Sequence, residues 1–203
     1  VFDCFGAGQK VSQHTYDGKS WLAEPGNREE MFAVFPIMRQ LHELLWYLDE
    51  ALRMPAAAAL HPELECATAR VEAVTALPAQ RILETDLEAL RAPVADLLRQ
   101  ASGLVRAGLR GAGLTGADLA GADLAGADLH GAELRGALLI AADLRDADLS
   151  FADLIGADVR DANLAGADLA GALYVTQLQV NAARGDSRTK LPPSVTRPSH
   201  WER

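Results

Sequence analysis

The sequence predicts a mixed fold: an N-terminal α-helical bundle, then a repeat region, then a short C-terminal capping helix with a tail. Before residue 106, apolar residues recur at spacings of three and four, which places their side chains on one face of a helix. From residue 107 to residue 173, leucine (valine once) recurs every five residues, with alanine two positions before it. A fixed period of this kind is the signature of a repeat architecture.

These patterns divide the chain into four segments. Residues 1–26 carry no periodic pattern and form an irregular N-terminal segment, residues 27–106 form a helical domain, residues 107–173 form the repeat region, and residues 174–203 form a C-terminal cap and tail. The chain begins at Val1 and shows no signal-peptide pattern.

Composition narrows the class of protein. The net charge of the 203 residues is −9, which argues against direct binding of nucleic acid or of an anionic membrane. Two cysteines are too few for a disulfide scaffold and favour a reducing compartment. No apolar run approaches the roughly 20 residues that a membrane helix needs. We therefore expect a cytoplasmic protein that binds neither nucleic acid nor membrane.

The helical domain begins at Asn27, a residue suited to capping a helix whose first turn carries Glu29 and Glu30. An apolar stripe follows from Met31 to Leu52 and is interrupted by Pro36, where we expect a kink or a new start. A second helical segment starts near residue 62, and a third runs from residue 78 past residue 93. The stripe suits either an intramolecular core or the seam of a homodimer, and both interpretations stay open.

The five-residue period fits neither a helix nor a flat strand. A helix turns every 3.6 residues and would spread the leucines around all its sides, whereas a strand alternates every two residues and would send them to opposite faces. The period is explained if each five-residue unit forms one side of a coil and turns a corner before the next unit. Leucine and alanine then point inward, and the other three positions face water.

The repeats resemble those of the pentapeptide-repeat family. Ala117-Asp118-Leu119, Ala122-Asp123-Leu124 and Ala127-Asp128-Leu129 follow that family's motif of alanine, aspartate or asparagine, leucine and two variable residues. The resemblance implies a right-handed quadrilateral β-helix, a β-solenoid with four pentapeptides in each turn. It also implies that units 20 residues apart stack on one side.

The segment after the repeats is expected to close the last turn. Thr176 is suited to cap a short helix that Gly185 ends, and the residues beyond it resemble the tail that often follows the repeats in this family. At the other end, we expect the last helix of the helical domain to cover the first turn, because an exposed edge would recruit other chains.

The repeat region is the most acidic part of the chain, with 11 acidic and four basic residues between positions 107 and 173. In a four-sided register its acidic residues form columns that a partner could bind: Asp118, Asp123, Asp128, Glu133, Asp143, Asp148, Asp153, Asp158 and Asp168. Some members of the resembled family inhibit or protect DNA gyrase and topoisomerase IV by imitating duplex DNA. That resemblance implies one function for this chain, a DNA-mimicking binder of gyrase or topoisomerase IV in a bacterial cytoplasm.

The sequence favours a different function, that of a non-catalytic scaffold or protein-interaction module. Leu138 stands where the motif has aspartate, so Leu138 and Ile140 should both point outward, and Ile155 extends this apolar patch. Clustered exposed apolar residues often mark an interface. The identity of the protein partner is not encoded in any motif.

No catalytic or metal-binding constellation is evident. The five histidines are scattered, and none stands at metal-ligand spacing from a cysteine or carboxylate. His42 and Cys66 are better explained as an exposed helical histidine and a buried thiol. The glycines near Lys10 lack a phosphate-loop pattern. The aspartates share similar exposed settings, whereas catalysis needs carboxylates with different pKa values. We therefore expect no enzyme activity, no metal and no cofactor.

Overall fold

The structure, a computed structural model, describes residues 4–18 and 25–201. The chain divides into two compact units, Val1–Val105 and Arg106–Arg203. Helices form the first unit: α1 (Ala7–Lys10), a π-helical turn (Val11–Thr15), α2 (Arg28–Leu52), α3 (His61–Thr75), α4 (Ala79–Leu83) and α5 (Leu87–Val105), with 3₁₀ turns at Pro25–Asn27 and Pro55–Leu60. No described helix has the length and apolar character needed to span a membrane.

Helix α2 is the centre of the first unit and contacts α3, α4 and α5. Most of its predicted apolar stripe is buried, with Met38, Leu41 and Leu48 fully enclosed and Leu45 and Leu52 half-buried. The stripe therefore packs within the unit. The helix runs through Pro36 without a break, because the preceding eight residues of α2 already provide two turns on which the helix can continue.

The first unit differs from the predicted one at two places. The third helical segment is two helices, since α4 ends at Leu83 and α5 begins at Leu87. Asp86 starts the second of them, because its side chain accepts a hydrogen bond from the amide of Ala89 at 3.0 Å. The segment described as irregular contains α1 and a π-helical turn, which the lack of an apolar period gave no reason to expect.

The predicted right-handed quadrilateral β-helix is wrong. Among the described residues none belongs to a β-strand; the repeat region instead contains isolated parallel bridges between residues 20 positions apart, such as Asp128 with Asp148 and Asp148 with Asp168. The chain turns a corner every five residues, so on each side only one residue has the bridge geometry with the neighbouring turn. A strand needs consecutive bridged residues, and the corners prevent them.

The interior of the second unit is made of leucine and alanine, as the period predicted. Leu134, Leu139 and Leu144 are fully buried, and so are the alanines two positions before them. Left-handed backbone at the corners turns the chain: Gly136 has φ +61° and Phe151 has φ +57°. Glycine adopts this conformation without strain, whereas an aromatic residue rarely does.

The C-terminal end of the second unit is closed by its own chain. Helix α6 (Gln177–Ala182) is capped by Thr176, as the sequence predicted. The side chains of Thr176 and Gln179 form a reciprocal capping box. The Gln179 amide also donates to the carbonyl oxygens of Leu154 and Ala157, each at 2.9 Å. Buried Trp201, in the 3₁₀ turn Ser199–Trp201, donates its indole N–H to the Ala183 carbonyl at 3.0 Å.

Candidate protein-binding surface

The acidic residues of the motif have a local structural role. In most repeats one carboxylate oxygen accepts a hydrogen bond from the amide two residues later, as between Asp118 and Ala120 at 3.2 Å. Asn163 makes the same contact with Ala165 at 3.2 Å through its amide oxygen. Asp and Asn side chains commonly form such turns. The motif therefore requires a short acceptor at this position, and a negative charge is not needed for the turn.

The acidic residues stack where the register predicted. The bridges join Asp128 to Asp148 and Asp148 to Asp168. They also join Asp123 to Asp143, join Glu133 to Asp153, and place Leu138 between Asp118 and Asp158. The bridges confirm that these positions lie one above another, and whether any partner binds the columns stays a prediction.

Two carboxylates in these columns are paired with an arginine two positions later in the chain. The Arg145 guanidinium donates to Asp143 at 2.8 Å, and Arg160 donates to Asp158 at 2.8 Å. The hydrogen bonds from these guanidinium groups hold the pKa of both carboxyl groups below the usual range. A cationic partner groove would have to compete with these arginines.

The basic tail pairs with further acidic residues. Lys190 contacts Asp168 at 2.6 Å, and this hydrogen bond lowers the Asp168 pKa. Similar pairs join Arg184 to Asp161 and Arg188 to Asp146, both at 2.8 Å. Cationic side chains after residue 173 therefore pair with acidic residues of the last turns, and one of these, Asp168, belongs to the acidic columns.

The sequence suggested that Asp153 is an exposed member of its column, but the structure shows that it is buried. Its side chain is fully buried, and its carboxylate lies 2.6 Å from the Arg135 guanidinium, which in turn lies over the Tyr174 ring. The carboxylate is thus enclosed and paired with a cation. Asp153 is therefore a structural ion pair and cannot serve as a docking residue.

A hydrogen-bonded group around Ser150 was not anticipated from the sequence, because its members belong to different turns. The Ser150 hydroxyl donates to Asp148 and lies 2.7 Å from His130 Nδ1. The group links two turns of the repeat region, and its geometry suits that structural role.

The helical unit contains two separate chemical features. His42 Nδ1 lies 2.9 Å from the Phe5 carbonyl oxygen. Cys66 is exposed, which corrects the expectation of a buried thiol. Within residues 4–18 and 25–201, no group of three or more histidine, cysteine or acidic side chains could hold a metal ion.

The predicted apolar patch lies on the surface of the repeat region. Leu138 is 41% exposed, and Ile140 and Ile155 are half-buried. Phe151, 42% exposed, is a further exposed apolar residue that the sequence analysis missed, since it stands at a corner position that is usually glycine. Leu173 is the other leucine at an aspartate position of the motif, and it is only 6% exposed.

Comparisons with known proteins agree with the repeat pattern. A family model for pentapeptide repeats matches eight copies over residues 104–139 and 142–172. The uncharacterized protein YybG of Bacillus subtilis is 55% identical over 207 aligned residues, which cover all of this chain and 74% of YybG. The likeness to YybG therefore includes the helical unit as well as the repeats.

Solved structures are similar to only part of this chain. HetL from the cyanobacterium Nostoc, a pentapeptide repeat protein involved in heterocyst differentiation regulation, is 30% identical over 41% of this chain and 36% of HetL, with a TM-score of 0.30. A pentapeptide repeat protein of the Arabidopsis thaliana thylakoid lumen is 30% identical over 42% of this chain and 61% of its own, with a TM-score of 0.24. The matched part spans less than two thirds of either protein. The eight repeats and the full-length likeness to YybG show that the chain belongs to the pentapeptide-repeat protein family.

Proposed function

We propose that this chain is a non-catalytic protein-binding module and that Leu138, Ile140 and Ile155, termed the apolar patch, form its binding surface. The observation that carries the proposal is the exposure of Leu138 at a position where the motif has aspartate. A leucine there cannot accept the amide hydrogen bond that stabilises the other corners. Because Leu138 is 41% exposed, it gains little burial in return.

Leu173 provides the contrast within the same chain. It also replaces the motif aspartate, but it is 6% exposed, so burial accounts for its apolar side chain. No such packing accounts for Leu138. A leucine that local structure does not favour, and that burial does not explain, is best explained by contact with a partner.

The surroundings of the patch resemble those of a small interface. Asp118 and Asp158 flank Leu138 in its column, so the apolar residues have a polar and charged margin. Interfaces commonly combine an apolar centre with a polar rim. The patch could thus seat one or two apolar anchors of a partner and orient them through the flanking charges.

The test replaces Leu138 with asparagine, because Asn163 shows that asparagine forms the corner hydrogen bond at this position. The control is Leu178→Asn, which removes another exposed leucine, 48% exposed, from α6. The wild-type chain and both variants are immobilised, and the proteins that they retain from a lysate of the source organism are quantified by mass spectrometry. We expect a partner that wild type and Leu178→Asn retain and Leu138→Asn loses. Retention of the same proteins by all three would contradict the proposal.

A second candidate function is binding to DNA gyrase or topoisomerase IV through the acidic columns. It is supported by the stack of Asp128, Asp148 and Asp168 on one side, since regularly spaced carboxylates can occupy a groove that binds phosphates. A supercoiling assay tests it. Wild type should inhibit gyrase, and the triple change of these aspartates to asparagine should abolish inhibition while Tm is retained. Absence of inhibition by wild type would exclude this function.

A further inference from the structure

Helices α3 and α5 of the first unit leave an open groove between them. The groove contains a cavity of about 180 Å³, and α5 lines it with apolar side chains, among them Pro93, Val94 and Leu97. Val94 is buried beneath the groove, whereas Leu97 is half-buried and Pro93 is exposed. The α5 wall of the groove is therefore apolar and accessible from outside the unit.

Helix α3 presents one side to this groove. Glu63, Cys66, Ala67 and Arg70 line it, and residues three, four and seven positions apart share a side of a helix. This side is distinct from the one that packs inside the unit, because Leu64 is fully buried while Glu63, Cys66 and Arg70 are exposed. Its centre consists of the small residues Cys66 and Ala67, and the side chains at a helix contact set how closely two helix axes approach.

The two charges on this side are placed symmetrically about its centre. Glu63 and Arg70 lie about one turn before and one turn after the pair Cys66 and Ala67. Seven residues at 1.5 Å per residue separate the two charges by about 10 Å along the axis, so they do not pair with each other. Neither of them forms an ion pair with any other residue in the part of the chain that the structure describes.

A second copy of the same helix provides the complementary charges. If two α3 helices pack antiparallel about a twofold axis between Cys66 and Ala67, Glu63 of each copy lies opposite Arg70 of the other. A twofold interface uses the same surface on both copies, so each such contact occurs twice. Parallel packing would instead place glutamate against glutamate and arginine against arginine. The charge pattern therefore selects the antiparallel arrangement.

We propose that this chain forms a homodimer in which α3 of each copy lies in the groove between α3 and α5 of the other. Burial of Leu97 and Pro93 would supply the apolar contribution, and the reciprocal pairs of Glu63 with Arg70 would fix the orientation. This surface belongs to the first unit and is separate from the apolar patch, so the inference does not depend on the function proposed for that patch.

The first test is charge reversal in the full chain, followed by sedimentation velocity over a range of protein concentrations. Glu63→Arg and Arg70→Glu each place like charges opposite each other in both pairs of the dimer. A one-to-one mixture of these two variants restores both attractive pairs in a mixed dimer. The control is Glu65→Arg, which makes the same change in net charge at an exposed residue on the other side of α3. Far-UV circular dichroism verifies that each variant is folded.

We expect wild type and Glu65→Arg to dimerise with the same Kd, and each of the other single variants to have a Kd at least about tenfold higher, because two attractive pairs become repulsive. The mixture should regain a Kd close to that of wild type. A monomeric wild type would overturn the proposal. So would equal weakening by Glu65→Arg, which would show a general charge effect, or a mixture that associates no better than its components.

The second test locates the dimer contact without disturbing it. Cys4→Ser leaves Cys66 as the single thiol of the chain, and the proposed axis places Cys66 of both copies close together. A bismaleimide with a two-carbon spacer should then give a covalent dimer. Adding Glu63→Arg to this variant should abolish the cross-link, whereas adding Glu65→Arg should retain it. A dimer that sediments as such but does not cross-link through Cys66 would place the contact elsewhere and refute the α3 arrangement.

Discussion

Replacing Asp153 with asparagine should strongly destabilise the second unit. Asp153 is fully buried and lies 2.6 Å from Arg135, whose side chain is only 12% exposed. Asparagine can still accept the Ile155 amide hydrogen bond that Asp153 accepts at 3.2 Å, so the change isolates the loss of charge. Breaking a buried ion pair from one side leaves an uncompensated charge and costs about 3–5 kcal/mol.

The assay is thermal unfolding followed by circular dichroism. Because 1 kcal/mol corresponds to about 2–4 °C for a chain of this length, Tm should fall by about 6–20 °C. The control is Asp158→Asn, which breaks the pair with Arg160 but leaves the arginine, 67% exposed, in water. That variant should lose no more than about 1 kcal/mol.

A compensating double variant refines this prediction. Changing Asp153 to leucine and Arg135 to methionine removes both charges, and Leu173, bridged to Asp153, shows that this column accommodates leucine. Apolar replacement of a buried pair is often neutral or stabilising. The reasoning would be refuted if Asp153→Asn melted as Asp158→Asn does, or if the double variant were as unstable as Asp153→Asn.

Three further predictions concern stability. Leu144→Ala should cost about 2–5 kcal/mol in urea unfolding, because the fully buried side chain leaves a cavity among the other leucines. Thr176→Ala should cost about 0.5–2 kcal/mol, measured in the same way, since it removes the cap of α6. Acid should destabilise the second unit. Hydrogen bonds from cations lower the pKa values of Asp143 and Asp168. At Asp186, burial raises the pKa, but backbone and side-chain hydrogen bonds outweigh it and lower the pKa to about 2. The stability they provide is present above the ordinary carboxyl pKa of about 4 and should be lost as pH falls through the lowered values; an unchanged unfolding midpoint in urea at about pH 2 would contradict this.

The local pattern of the repeats predicted which side chains stack and which face inward. A period of five with four sides requires residues 20 apart to be neighbours, and the bridges between Asp128, Asp148 and Asp168 confirm it. The same period did not predict the absence of strands. Strand formation depends on how many consecutive residues pair across turns, and the corner at every fifth residue limits that number.

The binding surface could be predicted only in part. Leu138 departs from the motif in the sequence itself, and the register alone places it outside. The exposure of Phe151 and the burial of Asp153 had no comparable signal, since each depends on residues in other turns. Leu173 shows the limit clearly, because it breaks the motif in the same way as Leu138 but is only 6% exposed.

The sequence by itself determined the repeat, its register, the leucine and alanine interior and the cap at Thr176, because these depend on residues that are close in the chain or separated by a fixed period. Tertiary structure decided which carboxylates remain free. Arg184, Arg188 and Lys190 lie far along the chain from their partners, yet the folded tail brings them within 2.8 Å of acidic side chains. Asp118, Asp123 and Asp128 keep exposed carboxylates because the tail closes only the other end of the unit. Charge pairing depends on distances of a few ångströms in space, and a period along the chain carries no information about a segment that lies outside it.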